Sequence, residues 1–309
     1  MSIKNILSKG WWAGIGVIVA IAFQPTYDFL KSLKKTTVSL EHDLSFLKES
    51  DNNLNILADS AITLPSKKEH LIKEFTVGSN SKVLIPSDIS SLEIKAAVVK
   101  IGENAVFEHV PKNGEPVEAG NNGSTARNKC SDGGNGTDGA NGINGSSGIA
   151  FKIQTIDLFI DDFSVILNGG AASNGGKGGN GGGGGRASRG SACAGGDGGN
   201  GGNGGNGGDG GSAGQLTIEY VNAYQGNGEP ISRFEVLSYL NFNAVGGKGG
   251  EPGGPGSRGG GGLQRGDTFA GFGGQPAGSS GSNGKAGIVG KDGVSTDKPT
   301  VNHITEIEE

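Results

Sequence analysis

Apolar and aromatic residues are scarce in this chain: they make up 33% and 6% of its 309 positions, and the apolar share is well below that of an ordinary globular protein. A single large apolar core is therefore not expected. Basic patches are lacking too. The net charge of -5 is spread along the chain, which leaves no electrostatic footprint for nucleic acid and argues mainly for solubility. Proline is limited to ten residues, of which only Pro252 and Pro255 fall inside a glycine-rich run, so a collagen triple helix is excluded. His42, His70, His109 and His303 stand in separate segments with no Cys or His at ligand spacing, and no metal site is indicated.

Signatures of catalysis are missing as well. Gly134 to Gly139 satisfies GxGxxG but opens no helix, and Lys177 and Lys285 are followed by Gly178 and Ala286 where a P-loop needs Ser or Thr. With no nucleophile elbow or paired carboxylates, the chain reads as a non-enzyme without a cofactor.

What the chain has instead is glycine, 63 residues of it, much of it in a period of three. Five arms keep that count: A (133–148), B (175–185), C (195–214), D (246–262) and E (278–293). In arm C, Gly-Gly-X runs unbroken, with Asp197, Asn200, Asn203, Asn206, Asp209 and Ser212 as the side chains before Ala213. A period of three fits neither helix nor strand. It matches polyproline II geometry, which has no internal hydrogen bonds and puts every third residue on one edge. Glycine on two of three edges lets neighbours approach from two sides, which predicts that arm C is the most enclosed. A flexible linker is the competing reading, because ordering glycine costs the most backbone entropy. Arms A and E speak against it: their other residues vary (Thr137-Asp138, Ile143-Asn144, Lys285-Ala286, Ile288-Val289) while the glycine phase never slips.

The spacers between B and C and between D and E are short enough to reverse direction and lay one rod antiparallel beside the next. On this periodicity the chain resembles the polyglycine II bundle proteins, a group that includes the glycine-rich adhesins of phage tail-fibre tips and the snow-flea antifreeze protein. The resemblance covers the five arms and implies a bundle of rods with recognition in loops at one end. Those loops would be 186–194, 263–277 and 119–131, with Arg186, Arg189, Arg265, Phe269 and Phe272 as candidate recognition residues for a protein or glycan ligand. Ordinary turns, with Phe269 and Phe272 capping the bundle, are the plainer alternative. Ice binding is disfavoured, because the rods show Asn, Lys and Asp rather than a flat array of small or Thr side chains.

At the N-terminus, Trp11 to Phe23 is an uncharged apolar run, a signal-peptide core on length alone. Trp11, Trp12 and Tyr27 set aromatic belts at its two ends, and extension to Leu30 makes a membrane span. Residues 1–30 are thus expected to be a membrane anchor or a cleaved signal, with the head extracytoplasmic. Leu33, Leu40, Leu47 and Leu54 fall seven apart and predict an amphipathic helical stalk over 31–65, either self-associating as a coiled coil into a homo-oligomer or packed on its own domain.

The rest, 74–293, is expected to be a β-sheet body carrying the five arms, followed by a flexible acidic tail at 294–309. Strands are predicted at 74–77, 81–85, 92–101 and 105–110, then as two further pairs, 149–160 with 163–167 and 215–223 with 233–242. The fold class is mainly β plus a polyglycine II bundle, behind a transmembrane or signal helix and a helical stalk. Cys130 and Cys193 each stand three residues before a glycine in the opening of an arm, Gly133 and Gly196. If A and C are parallel neighbours, with B antiparallel to C, the two are within disulfide reach; two free thiols in turns is the alternative.

Overall fold

The computed structural model describes residues 52–188, 193–264 and 275–304. Strands β1 (Asn53–Ile56), β3 (Glu69–Val77), β5 (Ser91–Ile101), β7 (Ala150–Ile160), β9 (Gln215–Gln225) and β11 (Thr300–His303) lie side by side in that order in one sheet. A second sheet holds β2 (Ala61–Thr63), β4 (Lys82–Ile85), β6 (Ala105–His109), β8 (Phe163–Ile166) and β10 (Leu240–Asn243). Neighbouring strands are parallel throughout. Successive strands alternate between the sheets, so each turn of the chain adds one rung to both, and the body is a parallel β-solenoid.

Side-chain alternation decides which residues enter it. In β7, Phe151, Ile153 and Thr155 point inward and Lys152 and Gln154 outward. Inward residues from both sheets meet in the middle: the Phe107 ring lies 6.3 Å from Phe75 and 5.5 Å from Phe151. Outside, rungs are laced by ion pairs such as Lys95–Glu69 at 2.7 Å and Lys152–Glu219 at 3.1 Å. At one corner Asp59, Asn80 and Asn104 all take positive φ, 54–58°, a conformation these two residue types tolerate better than most. They also stack, with Asn80 Nδ2 donating to Asp59 Oδ1 and Asn104 Nδ2 to Asn80 Oδ1.

The glycine arms are the long connections between turns of this solenoid. Chain leaves β6 along a rod at 111–128 and returns along A to β7; it leaves β8 along B and returns along C to β9; it leaves β10 along D and returns along E to β11. The outgoing rods (111–128, B, D) form one layer and the returning rods (A, C, E) another. Hydrogen bonds between rods recur at every third residue. Gly199, Gly202 and Gly205 of C donate to Gly182, Gly179 and Gly176 of antiparallel B, each at 2.8 Å, and Gly198, Gly201 and Gly204 donate to Ser279, Ser282 and Lys285 of parallel E, also at 2.8 Å. A and D bond to C as well, so it is enclosed by four rods.

Asparagine and aspartate complete the lattice. Asp132, just before A, and Asn135, Asp138, Asn141 and Asn144 of A accept, through Oδ1, the amides of Asp197, Asn200, Asn203, Asn206 and Asp209 of C. The same C side chains accept the amides of Ser279, Ser282, Lys285, Ile288 and Lys291 of E. Each X residue thus supplies the acceptor that its neighbour's backbone lacks, which removes the cost of an unpaired amide.

The outer rods end the lattice. E carries Ser279, Ser282, Lys285, Ile288 and Lys291 where C carries Asn or Asp, so it offers no row of acceptors to a further rod. On D, the amides of Gly249 and Arg258 are taken by Asp292 Oδ1 and Asn283 Oδ1 of E, and Pro252 and Pro255 occupy positions of the same row, where they have no N–H to satisfy. On the opposite edge the hydroxyls of Thr137 and Ser146 accept the amides of Asn121 and Lys112. These are the devices by which exposed sheet edges are kept from pairing.

Several expectations are corrected. The described part of the helical stalk, 52–65, is β1 and β2: Leu54, Ile56, Ile62 and Leu64 place an apolar residue at every second position, and the solenoid uses that period. No described helix is long and apolar enough to cross a membrane; the helix present, α1 (Arg233–Ser238), is a short capped turn. A transmembrane helix, a coiled coil and a membrane-anchored location are therefore unsupported, and residues 1–51, on which the anchor and most of the stalk were placed, lie outside the described residues. The strands expected as separate pairs are successive rungs of two shared sheets, and of the strand expected at 233–242 the first part, Arg233–Ser238, is α1, with strand beginning at Leu240. The 294–309 tail contains β11, paired with β9. A contiguous apolar core does exist, running through the solenoid from Ile56 to Val301; the arms dilute the average composition and meet that core only where they join the strands, as at Ala213.

Candidate functional site

The described ends of all three pairs of rods come together at the end of the bundle farthest from the solenoid. Here the backbone is still held: Ala126 donates to Gly183 at 2.8 Å, Gly184 to Gly260 at 2.9 Å, Gly185 to Ser131 at 2.8 Å and Gly195 to Pro276 at 2.9 Å. Cys130, with φ 60°, turns the first hairpin, and its amide donates to the Arg186 carbonyl at 3.0 Å. Its sulfur is bonded to that of Cys193, with the Cα atoms 6.0 Å apart, so the tips of the first and second hairpins are covalently joined. Ala187 is fully buried beneath, its amide donating to the Leu263 carbonyl of the third hairpin at 3.2 Å.

Of the residues singled out from sequence, the structure places Arg186 on this tip, exposed, beside the cystine. Arg189 lies in 189–192, and Arg265, Phe269 and Phe272 in 265–274, outside the described residues. The third loop, 119–131, is a rod through Ala126 and turns only after it. Sequence reasoning missed that rod because its triplet phase, Gly114, Val117, Gly120, Gly123 and Ala126, is interrupted by Val and Ala. It also passed over Arg127, Lys129 and Arg258, all exposed near the tip; their placement emerges only once the three outgoing rods are in register.

A second feature is a cavity of about 520 Å³ on the solenoid flank, lined by Thr76, Lys100, Phe159, Asp161 and Asn227 among others. Thr76, Lys100, Phe159 and Tyr224 share one row across the strands. The Phe159 and Tyr224 rings stack at 4.8 Å, Lys100 Nζ lies 6.0 Å from the centre of the Phe159 ring, and Glu74 holds that ammonium at 2.6 Å. The ring faces are thus spent on neighbouring rungs, and the row is a stabilising stack of the solenoid. Among the described residues no cluster of His, Cys, Asp and Glu is arranged to hold a metal ion.

Buried polar groups lie along the solenoid without converging. The Tyr220 hydroxyl has no partner, and burial pushes it up to about 12. His109, at the end of β6 where the first rod begins, is 2% exposed with Nδ1 unpartnered. Burial holds His109 below the ordinary histidine value, against the opposing effect of a hydrogen bond to the Asn168 backbone. His70 is lowered by burial first, with the Pro65 backbone bond opposing and the Lys67 charge assisting. For a base held down in the folded state, stability is full above its unfolded value near 6.5 and is lost as pH falls below it. Urea midpoints are accordingly expected to drop between pH 7.5 and pH 5, and His109→Gln is expected to flatten that dependence. An unchanged slope in the variant would remove His109 from the account.

No family model matches the chain, and no curated protein matches it. Among solved structures it is similar to the nine polyproline type II helical bundle springtail antifreeze protein from Granisotoma rainieri, at 22% identity, over 54% of this chain and 94% of that one, with a TM-score of 0.09. A likeness at that level carries no argument about fold or function.

Proposed function

We propose that the chain is a non-enzymatic binding protein in which a polyglycine II head, stiffened by inter-rod hydrogen bonds and carried on a solenoid, presents its tip to a partner. The observation that carries this reading is the contrast along each rod. Shafts repeat Gly with Asn or Asp, whereas the segments joining the rods, the first two of them linked by the Cys130–Cys193 bond, are where the side chains diversify. A preorganised tip loses little conformational entropy on binding. Among the described residues the buried side-chain atoms without a partner, on His70, His109 and Tyr220, belong to the solenoid, away from the tip.

Steric blocking tests this without assuming the ligand's chemistry. Two full-length variants, Asn128→Cys at the tip and Asn203→Cys at mid-shaft, would each be conjugated to a polyethylene glycol maleimide. Both would then be assayed against immobilised soluble polysaccharides, neutral and acidic. The tip conjugate is expected to lose binding and the shaft conjugate to keep it. Equal binding by both would place recognition elsewhere on the molecule.

A further inference from the structure

Arginine is distributed very unevenly in this chain. It occurs six times, at Arg127, Arg186, Arg189, Arg233, Arg258 and Arg265, and all but Arg233 fall in the last turns of the rods or in the segments joining them. The shafts and the solenoid strands use lysine instead: Lys82, Lys95, Lys100 and Lys152 are paired with glutamates across the rungs. Arg127, Arg186 and Arg258 sit on three adjacent outgoing rods, and the Ala126–Gly183, Cys130–Arg186, Gly181–Ser257 and Gly184–Gly260 backbone bonds place them within about four residues, roughly 12 Å, of one another along the rods. All three are exposed. None makes an ion pair or a side-chain hydrogen bond among the described residues, so capping the rod ends does not account for them. Lys129 adds a fourth positive charge beside the cystine.

Arginine and lysine are equivalent for solubility but not for recognition. The guanidinium presents a planar fork of donors that matches carboxylate and phosphate oxygens in pairs and is more weakly hydrated than an ammonium. We infer that the tip takes an acidic polymer, a polysaccharide bearing carboxylate or phosphate groups. This rests on the tip being the recognition end. A nucleic acid offers the same phosphates, but two observations go against it. Asp132 and Asp197, on the returning rods at the level of the arginines, and Asp138 and Asp209, farther down the A and C shafts, are all exposed and would repel a duplex laid along the head. The Cys130–Cys193 bond is of a kind that persists in oxidising compartments, where nucleic acid is scarce.

The test compares the full chain with Arg127→Ala/Arg186→Ala/Arg258→Ala and with the shaft control Lys177→Ala/Lys248→Ala/Lys285→Ala, which removes the same charge. All six side chains are exposed, and an unchanged melting temperature verifies the fold of each variant. Probes are polygalacturonate for carboxylate, a phosphomannan for phosphate, neutral dextran, and double-stranded DNA. The unaltered chain is expected to bind one or both acidic polysaccharides, more weakly as salt rises. The arginine variant is expected to lose affinity by about tenfold or more, while the lysine control stays within about twofold; carboxylate and phosphate are separated by which probe binds. Equal losses in both variants, tighter binding to dextran, or tighter binding to DNA than to either acidic polysaccharide would overturn the inference. Tip recognition is judged separately: if the Asn128 conjugate loses binding to a neutral polymer while the arginine variant keeps it, the tip reading stands and the acidic ligand falls.

Discussion

Gly204→Val is expected to destabilise the head by about 3 kcal/mol or more, and Asn203→Val, one residue away, by about 1 kcal/mol. A Cβ on Gly204 would land inside contact distance of the Gly253 carbonyl oxygen of rod D. Rod D can move away only by straining the neighbouring bonds, Gly253 to Gly205 at 2.8 Å and Gly256 to Gly202 at 2.9 Å. Asn203 is exposed, and its replacement loses the Oδ1 acceptor for the Lys285 amide and a long Nδ2 bond to Asp138 Oδ2 at 3.4 Å, both on a face open to water. Urea unfolding of the two variants measures the difference directly. Equal tolerance would mean that the rods are not packed as described, and so would amide shifts of arm C at random-coil values.

Reducing the Cys130–Cys193 bond, or replacing Cys193 with Ser, is expected to cost about 4 kcal/mol in the chain-entropy model for a loop of this length, the cysteines being 63 residues apart. The loss should be local in its first effects. Amides of Cys130, Gly185 and Ala187 at the tip are expected to exchange faster, while those of β5 and β7 in the solenoid keep their protection. Mass-resolved hydrogen exchange with and without reductant reads this out. Two free thiols in protein purified under oxidising conditions, or no change in stability on reduction, would remove the bond from the account and with it the argument for an oxidising compartment.

The rods were legible to different degrees, and for physical reasons. A glycine is required only where a Cβ would meet a neighbouring backbone, so C, with rods on both sides, is glycine at both inward edges. A keeps glycine at 133, 136 and 139 but carries Thr137, Ala140 and Ile143 on its free edge; E keeps it at 278, 281 and 284 but carries Ser280, Asn283 and Ala286. Phase alone therefore marks which rods are central. The first rod stayed hidden because it is an edge rod in which Val117 and Ala126 replace two glycines. The solenoid was harder still. Short alternating strands look alike whether they pair with the next strand or the next but one, and only the latter holds here. The leucines at seven-residue spacing fit a helix as far as Leu54, yet from Asn53 onward the apolar residues alternate, and a parallel neighbour at Glu74–Val77 decides the outcome. For the candidate site, the cysteines and Arg186 could be found by their place at the arm ends, whereas the grouping of Arg127 with Arg258 needed the register between rods.

The finished edges and the glycine-faced middle have a consequence for how such a head changes width. One turn, from Ala150 through β7, β8, B and C to Gly214, makes the same set of bonds to the turn before it as the turn after makes to it. Its two sides are interchangeable, while the outer turns each have a side that accepts nothing. Tandem duplication of that stretch would widen the head by two rods and leave both borders intact. Duplication of the last turn would instead bury Pro252, Pro255 and the side chains of E against a new neighbour. The chain is built like a sentence with fixed first and last words and a clause between them that can be repeated.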